Sequence, residues 1–299
     1  MKKIQLIIAI ILCGILMAAC EDTPPNDYTP ENVIEAVLIV GQPIEGIKVY
    51  ISQPVTDTFW YENSIVKNAD VKIIGDGKML QLSYRDAKPG GEYFYSDTTY
   101  KVQPNTQYSI EVNVGGKRFT GETKTPSQIA WVKHIRDTVH FPKDTIKLES
   151  PDSLRIEWTP TPGVSEAYLA SALCLDTLEY GKYFTPPTDE KNRRITATNN
   201  EADPRYNETA RYGYVVGTKV PFFWYAYKWY GLHEYSMYAP DINYLNWMKL
   251  TRVFGSNPQY DPNQGSIYVE TESGRRKAFG VFGSASVIRK KVFLVKNQP

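Results

Sequence analysis

The chain has 299 residues, with 34 basic against 33 acidic side chains, 42% hydrophobic residues, and 22 Tyr, 20 Pro and 20 Gly. So even a balance leaves no clustered positive surface for phosphate contacts, which excludes nucleic acid as a partner. Abundant aromatic and β-branched residues, punctuated by Gly and Pro, indicate an all-β protein rather than one built on long helices.

Lys2 and Lys3 precede an apolar run, residues 4–16, that ends in Met17-Ala18-Ala19-Cys20. A basic start, a short apolar stretch and small residues before the cut form a secretory signal, too short and too early for a membrane span. With Cys20 after two alanines, residues 1–19 read as a lipoprotein signal peptide and Cys20 as the lipidated (palmitate-bearing) first residue of the mature protein. Met17 stands where Leu is more usual in a lipobox. Removing Lys2 and Lys3 from the 34 basic residues leaves one fewer than the 33 acidic ones, a mature net charge of −1. Cys13 leaves with the signal and Cys20 carries the lipid, so Cys174 is a lone thiol and disulfides play no part in stability. Set between Leu173 and Leu175, it reads as a small core hydrophobe.

Residues 20–32, starting Glu21-Asp22-Thr23-Pro24-Pro25, form a flexible tether without apolar periodicity. Its acidic residues resemble the surface-export signal of lipoproteins in Bacteroidetes. An N-terminal β-sandwich is expected over residues 33–126. Residues 33–40 suit a strand, Gly41 and Pro43 a turn, and Ile47, Val49 and Ile51 alternate with polar neighbours as one buried face. Val71 and Ile73 continue the pattern into a hairpin at Gly75-Asp76-Gly77, with the chain returning over residues 79–84. A second hairpin turns at Gly115-Gly116 and buries Tyr108, Ile110, Val112 and Val114. Short strands at this spacing describe an antiparallel sandwich. Pro104-Asn105-Thr106-Gln107-Tyr108 resembles the fibronectin type III corner in which a Tyr hydroxyl bonds back to the preceding backbone, a structural role.

Thr125-Pro126-Ser127 ends the first unit, and residues 127–299 are expected to form a second, tandem β-rich domain of fibronectin-like or immunoglobulin-like type. It contains the alternating strand 154–158, a Pro160 to Gly163 turn, the apolar run 167–175 and a polar loop over 185–209. Residues 222–230, FFWYAYKWY, read as a strand with aromatics on both faces, those up to Tyr227 facing the core. Around the Gly231 turn, Trp229, Tyr230, His233 and Tyr235 are the candidate ligand contacts, since flat rings stack on sugars at low entropic cost. Residues 280–287 and 291–295 suggest a closing pair of strands.

Catalytic signatures are missing: there is no His-Glu-x-x-His, paired-Cys motif, Gly-x-Ser-x-Gly elbow or phosphate loop. His134, Asp137 and His140 read as a solvated loop rather than metal ligands, and Asp261 to Glu270 departs from the calcium-loop pattern. No cofactor, metal or catalytic residue is assigned. Several short motifs, Gly41 to Ile44, Gly90-Gly91-Glu92-Tyr93, the Tyr108 corner and Gly280-Val281-Phe282-Gly283-Ser284, together resemble a family of Bacteroidetes outer-membrane lipoproteins catalogued as domain of unknown function 4249. The resemblance implies an outer-membrane lipoprotein, surface-exposed or periplasm-facing, often encoded beside TonB-dependent receptors. The expected function is non-enzymatic: a binding or accessory module for glycan or peptide capture beside such a receptor. A structural spacer or assembly lipoprotein is the first alternative, and an extracellular hydrolase with two unrecognised carboxylates across a cleft the second.

Overall fold

In the computed structural model the described residues are 28–54, 58, 61–87, 90–141, 155–163, 167–195, 213–222, 227–249 and 265–296. The first strands are β1 (Asn32–Ile39) and β2 (Lys48–Ile51), followed by one helical turn, α1 (Tyr61–Ser64). Next come β3 (Asp70–Gly75), β4 (Lys78–Gln81), β5 (Ser83–Arg85), β6 (Glu92–Phe94), β7 (Gln107–Val114) and β8 (Lys117–Lys124). The chain continues through β9 (Trp131–Lys133), β10 (Thr138–His140), β11 (Arg155–Trp158), β12 (Ala167–Cys174), β13 (Gly213–Val216) and β14 (Lys219–Pro221). It finishes with β15 (Gly231–Pro240), α2 (Ile242–Met248), β16 (Ile267–Thr271) and β17 (Gly274–Val295). The protein is all-β, with large, mainly antiparallel sheets.

Local chemistry explains the hairpins. At the β3–β4 turn Asp76 and Gly77 have φ of 53° and 69°, and at the β7–β8 turn Gly115 and Gly116 have 56° and 72°. Two consecutive left-handed residues match the twist of the strands they join, which is why Asp-Gly and Gly-Gly occur there. Tyr108, Ile110 and Val112 are buried as the alternation requires, and Val114 is half-buried. The Tyr108 hydroxyl accepts from the Gln103 backbone N–H at 2.9 Å and lies 2.9 Å from the Tyr100 hydroxyl, so the corner is tied down as its motif suggested. Ile47 and Val49 are buried, but Ile51, at the end of β2, is exposed.

Two cores result. One gathers Ile34, Leu38, Val49, Ile73, Tyr108 and Phe119; the other gathers Ile129, Ile156, Trp158, Tyr168, Met237 and Leu294. Most of the first core comes from residues 34–119 and the second from residues 129–294, yet the two sets overlap along the chain. Ile267, Val269, Ala278 and Phe282 belong to the first core, because β16 pairs with β8 through Ile267↔Gly121. The expected closing pair of strands is a single strand, β17, which serves both halves. Its first residues pair with β16, residues 279–285 run parallel to β1, residues 285–294 pair with β15, and 293–295 run parallel to β10. The sheets are therefore not wholly antiparallel.

The middle of β17 explains its composition. Residues 280–287 are buried on both faces, so small side chains predominate in Gly280-Val281-Phe282-Gly283-Ser284-Ala285-Ser286. Gly280 has φ 121°, and a Cβ there would lie 2.0 Å from the Ile34 carbonyl oxygen of β1. At Gly283 a Cβ would meet the Tyr244 backbone nitrogen at 2.9 Å. Neither contact can be relieved by turning a side chain. Gly280→Ala should therefore separate β1 from β17 and destabilise the protein by at least about 3 kcal/mol in urea denaturation. A wild-type midpoint would show that the parallel ladder is not tight at this position.

Candidate functional site

Trp229, Tyr230, His233 and Tyr235 are all buried, with exposures of 0, 8, 1 and 0%. As candidate ligand contacts they would need exposure, which the structure does not give them. One reason is that β15 lies between β12 and β17 and presents His233 and Tyr235 to the second core rather than to water. The other is that the polar segment before residue 196 covers Trp229 and Tyr230. Arg194 pairs with Trp229 in an isolated bridge and holds its guanidinium 5.4 Å from that indole, while Arg193 sits 5.5 Å over Tyr230. The Asn192 amide donates to the Tyr230 carbonyl at 2.8 Å. Phe222 and Tyr227 are buried with ring centroids 4.9 Å apart, in line with the core reading for that end of the aromatic block. Residues 227–230 form no strand, and 223–226 lie outside the described residues.

His233 is neutral by position: burial pushes its pKa down to about 4. Its Nδ1 donates to the Gly231 carbonyl at 2.9 Å, and the ring packs edge-on against Tyr227 at 4.8 Å. Cys174 is buried, and desolvation pushes its thiol up to about 12, which removes it as a nucleophile near neutral pH. Asp137 pairs with Lys290 and His134 Nδ1 contacts the Ile135 carbonyl. Among the described residues no three His, Cys, Asp or Glu side chains cluster as metal ligands. Cys20 and residues 261–264 lie outside the described residues.

The polar site that the structure does assemble lies where the two halves meet. Pro240 ends β15, and Asp241 caps α2 by accepting from the Tyr244 N–H at 2.9 Å. The same carboxylate accepts from the Ser284 N–H of β17 at 3.0 Å and from the Thr123 hydroxyl of β8 at 2.7 Å. Ser284 Oγ lies 2.8 Å from Thr123 Oγ1 and 3.2 Å from the Lys124 carbonyl. Burial raises the Asp241 pKa, and these donors oppose the rise. Because both oxygens are engaged in tying three elements together, the group acts as a structural carboxylate.

Above this knot runs a groove between β8 and α2. One hollow, of about 380 Å³, is lined by Asn105, Gln107, Lys124, Pro162 and Ile242; the next, of about 530 Å³, by Asn246, Ser266, Tyr268, Arg275 and Lys277. Glu122 and Asn243 line both, so the two adjoin. The Asn243 amide donates to the Glu122 carbonyl at 2.8 Å and the Phe282 carbonyl at 3.0 Å, which fixes the shared wall. Donors and acceptors on opposite walls suit a polar ligand held by hydrogen bonds. Sequence reasoning missed this site because its residues come from 105–126, 162–163, 241–246 and 265–277. The only local signal was the Pro-Asp pair that starts α2.

Trp229→Ala should remove a fully enclosed ring and cost about 3–5 kcal/mol, seen as a lowered melting temperature. An unchanged melting temperature would return Trp229 to the surface. The pH dependence follows from His233, whose folded pKa is below its unfolded value of 6.5. Its stability contribution is complete above pH 6.5 and is lost as pH falls towards 4, by about 3 kcal/mol. Asp241, raised by burial, works in the opposite sense, so the wild type should be compared with His233→Phe, in which the acid loss is smaller by that amount. Equal pH slopes in the two proteins would contradict a buried neutral imidazole.

No protein-family model and no curated protein matches the chain, so what it does has to be argued from its own residues and geometry.

Proposed function

We propose that the chain is a non-enzymatic lipoprotein of the outer membrane, held by an acyl chain on Cys20, whose β body acts as a binding or accessory module. The ligand is a glycan or peptide, captured beside a TonB-dependent receptor as the resemblance to family 4249 implies. The observation that carries this reading is the fixed polar groove at the junction of the two halves, on a body whose described part begins eight residues after Cys20. Capture takes place in that groove and not on an aromatic strip, because Trp229 and Tyr235 are enclosed. Among the described residues no helix is long and apolar enough to cross a membrane, so in this reading attachment falls to the lipid.

The spacer reading draws on one specific observation, the burial of Trp229, Tyr230 and Tyr235, which removes the stacking surface that a glycan binder often displays. The two readings separate in a pull-down from intact cells. A binding module retains a ligand or receptor that groove variants release, whereas a spacer retains its neighbours whatever the groove contains.

Anchoring has its own test. Labelled palmitate should enter the wild-type protein, and Cys20→Ala should lose the label and leave the membrane fraction. Unlabelled wild type, or a Cys20→Ala variant sorted like wild type, would overturn the anchored reading.

A further inference from the structure

The groove is not chemically uniform, and its far end carries a charge arrangement that a purely architectural surface does not need. Tyr268 on β16 lies directly across the ladder from Lys277 on β17, and Arg275 projects from the same face two residues earlier. The Arg275 guanidinium carbon lies 3.9 Å from the Tyr268 ring centroid and the Lys277 ammonium 4.4 Å from it. One ring therefore seats two cations, so their mutual repulsion is offset by its π face instead of by a carboxylate. Lys277 is also anchored, donating to the Gly265 carbonyl at 2.5 Å.

The neighbouring strands pair their charges differently. Arg118 meets Glu111 at 2.6 Å and Lys72 meets Asp70 at 2.8 Å. Glu270 stands opposite Arg275 in the ladder, yet no ion pair joins them, and among the described residues the Arg275 guanidinium makes no hydrogen bond or salt bridge. Contact with the ring holds the guanidinium carbon in place while leaving its N–H donors unspent. Asn246, Asn243 and Glu122 line the same hollow. The Asn246 side chain is likewise without a hydrogen bond among the described residues.

We propose that the end of the groove walled by Arg275, Lys277 and Tyr268 binds the carboxylate of a polar ligand, with Glu122 and Asn246 taking that ligand's hydroxyl or amide groups. Arg275 supplies the forked donor pair that matches a carboxylate, and Lys277 adds a second positive charge beside it. Glu122 disfavours a ligand that is anionic throughout and accepts from donors next to the acid. The chemistry fits an acidic sugar unit in a glycan or the C-terminal carboxylate of a peptide. This inference rests on the binding-module reading and names the ligand class for the same groove.

The test is calorimetric titration of the mature, lipidated chain in detergent with four probes: a galacturonate trisaccharide, the neutral galactose trisaccharide, a tripeptide with a free C-terminus and its amide-capped form. One acid should bind, and its neutral counterpart should bind about tenfold or more weakly. Which acid binds identifies the source. Arg275→Ala should weaken that binding about ten- to a hundredfold and Lys277→Gln less, both with a wild-type melting temperature. Arg276→Ala, on the opposite face of the strand, should leave affinity unchanged. Failure of both acids, equal affinity for a neutral counterpart, or full affinity in Arg275→Ala overturns the proposal. Because palmitate labelling at Cys20 and retention of partners by intact cells are read separately, the ligand class can fall while the anchored module stands.

Discussion

A single strand serving two cores is the constraint on which the rest of this structure depends. β17 is 22 residues long, which at about 3.3 Å per residue spans roughly 70 Å. Along that length it pairs with β16 and β1 in the first half and with β15 and β10 in the second. A strand so covered cannot carry bulky side chains on both faces. Its middle is therefore rich in Gly, Ser and Ala, and the parallel approach of β1 requires Gly280 in a backbone conformation that an L side chain rarely adopts.

The same crossing explains why the groove has the form it does. Where β17 passes from one sheet to the other, Gly283 leaves space for the start of α2, and Asp241 uses that space to join α2, β8 and β17. An unpartnered carboxylate at this depth would be costly; three donors make it tolerable and fix the angle between the helix and the sheet. Glu122 and Asn243 are held in place as a consequence, so the groove walls are set by the junction rather than by mobile loops. Rigidity of this kind suits recognition, because little side-chain freedom remains to be lost on binding.

Much of the first half is legible in the sequence because its determinants are local. Asp76-Gly77 and Gly115-Gly116 dictate their turns, alternation assigns Tyr108, Ile110 and Val112 to one face, and the Pro104 to Tyr108 corner announces its own hydrogen bond. What could not be read was decided by distant partners. The apolar and small residues of 280–295 are compatible with two short strands or one long one, and only β1, β10 and β15 settle the matter. The same limit applies to Trp229 and Tyr230. Their proximity to Gly231 suggested a turn in water, whereas Asn192, Arg193 and Arg194 come from nearly forty residues earlier to cover them. Arg275 and Lys277 carry no local signal in the sequence, because Tyr268 and Asn246 are brought beside them only by the fold.

The central claim is that β17 makes the two cores one cooperative unit and thereby fixes the groove between them. Hydrogen–deuterium exchange across a urea series tests it most directly, comparing amides of β3 and β7 in the first core with those of β12 and β15 in the second. Shared dependence on β17 predicts that both sets lose protection at one denaturant midpoint. Two separated midpoints, with one core opening while the other stays protected, would contradict it.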